Sequence, residues 1–112
     1  RLEHRRSLVY ERVEKVFADY DLLITPTLAV PPFLHHQPPE EIDGKAVNPH
    51  NDWMLTSIFN MTGHPAASVH AGFSPDGLPV GMQIVGPRFA DEEVLSFARM
   101  FEQAVAERRA YP

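Results

Sequence analysis

Cysteine is absent from this 112-residue chain, which excludes a disulfide framework and any zinc site built on thiolates. The same absence fits a reducing compartment. Also missing is an apolar run near the roughly 20 residues that a membrane-spanning helix needs, so neither a membrane segment nor a signal peptide is expected. Positive charge is scarce: 10 Lys and Arg against 15 Asp and Glu leave a net charge of −5. The basic residues are scattered except for Arg5-Arg6 and Arg108-Arg109, a pattern that argues against a nucleic-acid surface. The first residue is Arg1 and not Met, from which a fragment or a processed product is expected.

What is present suits a globular chain of one domain or less, with 44% apolar residues. From Leu2 to Asp19, Val9, Val13, Val16, Phe17 and Tyr20 recur on one apolar stripe, which predicts an amphipathic helix with Glu11 and Lys15 paired on its outer side. Asp21 to Thr25 reads as a short, fully buried strand closed by Pro26, suited to the interior of an α/β sheet. Thr27 to Pro49 carries Pro31-Pro32 and Pro38-Pro39 without periodicity and reads as a long loop. A helix is expected from His50 to Thr62, with Asn48 as cap, Pro49 at its start and Gly63 ending it in a left-handed conformation. Ala66 to Gly86 reads as a hairpin around Ser74-Pro75-Asp76-Gly77. Its register stays open, because a bulge at Gly77 would reverse the face that His70 shares. A last helix is expected from Asp91 to Arg108, with acidic residues in its first turn and Val94, Phe97, Ala98, Phe101 and Val105 inward.

Chemistry is harder to find. His35-His36 are adjacent, but on an extended chain adjacent side chains point apart, and no His-x-x-x-His spacing exists, so no metal site is expected. Ser7, Ser57, Ser68, Ser74 and Ser96 all lie outside a Gly-x-Ser-x-Gly elbow. Lys15 and Lys45 are the lysines, one on a charged helix face and the other after the turn-like Asp43-Gly44. Gly81 and Gly86 lack phosphate-loop spacing, and Gly81 inside a strand signals close approach of another backbone.

Asp21-Leu-Leu-Ile-Thr-Pro-Thr27, the helix from Trp53 to Gly63, the hairpin through Gly86 and the continuation Pro87-Arg88-Phe89-Ala90-Asp91-Glu92 together resemble, in order and spacing, the C-terminal region of amidase-signature enzymes. The resemblance covers nearly the whole chain. It implies an α/β fold class, the C-terminal part of an α/β/α sandwich, with a short mixed sheet, a β-hairpin and covering helices.

In that family carboxamides are hydrolysed by a Ser–Ser–Lys triad, without a cofactor. The triad lies upstream of this region and no position here matches it, so no catalytic residue carries over. The resemblance implies that Asp52 and Trp53 approach the acyl side of the substrate pocket, although packing in a core serves Trp53 equally. It further implies a cytoplasmic setting, a small carboxamide substrate for the parent enzyme, and, as partner, the remainder of the amidase fold or another copy of this chain. An isolated, inactive C-terminal fragment is the leading expectation; the alternative is a self-standing interaction or oligomerisation module. One departure stands out: the family pattern usually has Pro where this chain has His70. His restores a backbone donor and adds a titratable ring, and both neutral drift and an altered pocket accommodate it.

Overall fold

The computed structural model describes residues 2–106. Elements follow in the order α1 (Leu2–Phe17), β1 (Leu23–Pro26), β2 (Glu41–Ile42), β3 (Lys45–Ala46), α2 (Ser57–Thr62), β4 (Ala66–Phe73), β5 (Pro79–Val85) and α3 (Asp91–Val105). Arg108, at the end of the last expected helix, lies outside the described residues, as does Arg109.

The hairpin organises the rest. Ser74 donates its N–H to Leu78 O at 2.8 Å and accepts from the Leu78 N–H through its own hydroxyl at 3.1 Å. Gly77 takes φ +80 at the end of the turn, a conformation glycine adopts without a Cβ clash. β4 and β5 pair antiparallel from Ala66–Val85 to Phe73–Pro79, with a register shift between His70 and Gly72. The bulged residue is therefore Ala71, and the turn itself leaves the register intact. Side chains three apart on a regular strand face opposite sides; here the extra residue returns Phe73 to the side of His70, and their rings meet at 4.8 Å.

β1 pairs antiparallel with the other side of β5, giving the order β1-β5-β4. Both ladders are antiparallel, so the parallel pairing of a mixed sheet is not found among the described residues. Instead of a fully buried interior strand, β1 is an edge of this sheet, and Ile24 is 44% exposed. Pro26 ends up inside the strand, opposite Met82, which an edge tolerates because one row of N–H groups has no ladder partner to lose.

One face of the sheet is apolar. Ile84, Ala67, Val69 and Met82 meet Val94 and Ala98 of α3, with Phe97 and Phe101 partly buried alongside. Gly86 allows this approach: a Cβ there would stand 2.7 Å from Val94 Cγ2.

Two further differences have local causes. The loop after β1 contains the β2–β3 hairpin, turned by Asp43 (φ +51) and Gly44 (φ +71), the paired left-handed residues of a tight two-residue turn. The helix expected over His50–Thr62 begins only at Ser57. Residues 49–56 form turns because their backbone groups bond elsewhere: Trp53 O accepts from Ala29 N–H at 3.0 Å, and Met54 bridges Leu28.

Candidate functional site

The turn from Asn48 to Thr56 carries both residues singled out by the sequence. The Asp52 carboxylate accepts from Asn48 N–H at 2.8 Å, while Asn48 Oδ1 accepts from His50 N–H at 3.0 Å. Asp52 in turn donates its N–H to Asn48 O at 3.1 Å, and this reciprocal pair holds Asp52 on an exposed turn. Trp53 is half-buried; its indole N–H donates to Pro49 O at 2.8 Å, and Phe33 meets its ring edge-on at 5.0 Å. Asp52 thus stands at the surface of the turn, and its neighbour Trp53 joins that turn to Phe33 of the Pro-rich loop.

The sheet face opposite α3 carries a polar strip beyond Leu23, Ala66 and the buried Val85. Cross-strand partners Thr25 and Gln83 bond through Gln83 Nε2 donating to Thr25 Oγ1 at 3.0 Å, and Gln83 is only 2% exposed. Next along that face, the hydroxyls of Thr27 and Ser68 lie 2.6 Å apart. A search for a nucleophile's elbow passes over Ser68. The available signal is the alternation of Thr25 on β1 and Thr27 just beyond its end, with Ser68 on β4, which gathers three hydroxyls on one face.

A second polar cluster has the composition of a catalytic triad without its function. His64 Nδ1 lies 2.8 Å from Thr62 Oγ1, and His64 Nε2 lies 2.8 Å from Glu14 Oε1. Thr62 Oγ1 also bonds Ile58 O at 3.1 Å, and at 3% exposed it is closed to a substrate. The imidazole lies between Tyr10 and Phe17 at centroid distances of 5.5 and 5.4 Å. Its role is to fasten α1 to the corner between α2 and β4.

The other candidates are dispersed. Ser7 bonds to Glu3 O one turn earlier, Ser74 serves the hairpin turn, and Ser57 and Ser96 are exposed on α2 and α3. Lys15 and Lys45 are exposed on α1 and β3. His36 adopts φ +61, which brings its ring to 4.0 Å from that of His35 instead of pointing it away. Among the described residues no group of three or more His, Asp or Glu is placed to hold a metal ion. No helix of the described residues is long and apolar enough to cross a membrane.

Comparison with known proteins defines the class. The profile of the amidase family matches residues 1–95. The chain belongs to the amidase family. It is 38% identical over 111 residues to the A subunit of glutamyl-tRNA(Gln) amidotransferase from Streptococcus equi subsp. zooepidemicus, covering 96% of this chain and 21% of that one. The corresponding amidotransferase polypeptide of Streptococcus agalactiae is 39% identical over the same shares. Among solved structures, a bacterial aryl acylamidase of the amidase-signature family superposes with a TM-score of 0.84 at 40% identity, over 88% of this chain and 21% of that one. The A subunit of the Thermotoga maritima glutamyl-tRNA(Gln) amidotransferase gives a TM-score of 0.69 at 36% identity, over 88% and 20%. The chain therefore spans about a fifth of the length of the relatives it matches.

Proposed function

We propose that these residues are the C-terminal segment of a carboxamide hydrolase whose catalytic residues lie upstream, and that they are inert alone. The observation that carries this reading is the coverage: the match takes in 96% of this chain but 21% of its relative. In the parent, a serine relayed through a second serine and a lysine attacks the amide carbonyl. The amine leaves, and water releases the acyl group from the enzyme. That chemistry requires no cofactor.

Asp52 and Trp53 form part of the substrate wall, with the exposed carboxylate receiving a donor of the substrate and the Phe33–Trp53 pair bordering it. The remainder of the amidase fold is the partner, and the reducing cytoplasm is the setting. The test is ammonia release from simple carboxamides by the natural polypeptide that carries these residues, beside the 112-residue chain. Hydrolysis by the former and none by the latter is expected. Hydrolysis by the short chain that disappears when one of its own serines is replaced overturns the reading.

A second reading, a non-catalytic oligomerisation module, is favoured by one observation. β1 is a sheet edge with Ile24 44% exposed, and such edges pair with further strands. Sedimentation of the short chain separates the two, since a cooperatively folded monomer at micromolar concentration removes the module.

A further inference from the structure

We propose that the small cavity beside the Thr27–Ser68 hydroxyl pair is a subsite for the apolar end of an amide: one aromatic ring, or a short branched chain, bearing a neutral hydrogen-bonding group. This rests on the amidase reading and deepens it by naming the substrate class. The cavity measures about 220 Å³. A cavity of roughly 150 Å³ admits benzene, and drug-sized sites begin at about 300 Å³, so one substituted ring fills it.

Leu28, Val30 and Pro32 of the loop after β1, with Pro79 of β5, supply apolar lining, while Thr27, Ser68 and Gly81 supply a polar corner. Gly81 keeps that corner open. A Cβ there would stand 2.8 Å from Thr27 Oγ1 and 2.9 Å from Ser68 Oγ. One hydroxyl donates to the other across 2.6 Å, which leaves the second O–H hydrogen and spare lone pairs for a ligand. A carboxamide offers both an acceptor and donors to such a pair. None of the described lining residues is Lys or Arg, so a carboxylate of the same shape would lose its hydration without gaining a counter-charge. The loop that lines the cavity is also bonded to the turn of Asp52 and Trp53, through Ala29 N–H to Trp53 O and the Leu28–Met54 bridge.

The experiment titrates benzamide and benzoate into the natural polypeptide, followed by ligand-observed NMR, in the wild type and in the variants Val30→Phe and Ser68→Ala. Val30 is half-buried in the loop after β1 and Ser68 is exposed; the serine change removes a single oxygen and keeps the test decisive if the larger side chain disturbs folding. The dissociation constant for benzamide is expected to rise about tenfold or more in Val30→Phe, through loss of the space. In Ser68→Ala it is expected to rise about threefold to tenfold, the measure of one hydrogen bond. Benzoate is expected to bind about tenfold more weakly than benzamide. Benzamide affinity unchanged in both variants, or benzoate bound as tightly as benzamide, overturns the subsite whether or not amides are hydrolysed. If hydrolysis is absent but both variants still weaken benzamide, the subsite stands and the amidase reading falls.

Discussion

Helix α3 meets the sheet through carbon, Val94 and Ala98 lying against Val69 and Ile84. Helix α1 is fastened by polar side chains: Arg6 Nε donates to Met61 O at 2.7 Å, and Glu14 joins the His64 ring between Tyr10 and Phe17. The apolar contact is non-directional and grows with buried area, so it sets affinity between elements more than angle. The polar contact has fixed geometry and leaves costly unpaired groups if displaced, so it sets where α1 sits. The two helices thus divide stability from placement.

The largest effect that would sharpen this contrast is Ile84→Ala. Ile84 is 0% exposed, and the substitution should remove about 2–5 kcal/mol from unfolding free energy by denaturant titration. His64→Ala comes next, at about 1.5–3 kcal/mol for the lost bonds, and it should speed hydrogen exchange in α1 while β4 and β5 keep their protection. Equal acceleration in both places would break the contrast, since α1 would then not be separately held. Gly86→Ala forces a Cβ to 2.7 Å from Val94 Cγ2 and should cost about 1–3 kcal/mol by overpacking, with α3 amides exchanging faster. Leu95→Ala, on the 64% exposed side of α3, should change stability by less than about 0.5 kcal/mol.

The same contrast explains what was legible in the sequence. The inward residues of α3 follow a 3.6-residue period, and four of the five expected, Val94, Phe97, Ala98 and Phe101, pack on or beside the core cluster. On α1 the expected stripe included Tyr20, which is 66% exposed beyond the helix end. The other four, Val9, Val13, Val16 and Phe17, are on the half-buried side, which also carries Tyr10 and Glu14; a buried histidine 50 residues from Glu14 recruits these two, and periodicity cannot register a partner so distant. The Asn48–Thr56 turn escaped for a similar reason: Asn48, Pro49 and the apolar residues after them suit a helix, but the bonds to Ala29 and Leu28 come from the loop. The site residues Asp52 and Trp53 were drawn from family resemblance, whereas the Thr27–Ser68 pair needed the strand register, which the sequence left open.

The bulge at Ala71 carries a consequence for insertions and deletions. Removing Ala71 would shorten β4 without exchanging its faces. His70, Gly72 and Phe73 would then alternate strictly against Gly81, Val80 and Pro79, so Phe73 would keep its place on the side of His70. The bulge is thus the point of β4 where the residue count can change in silence: an extra residue anywhere else in the strand would have to be bulged out in the same way to keep both faces of the hairpin in phase.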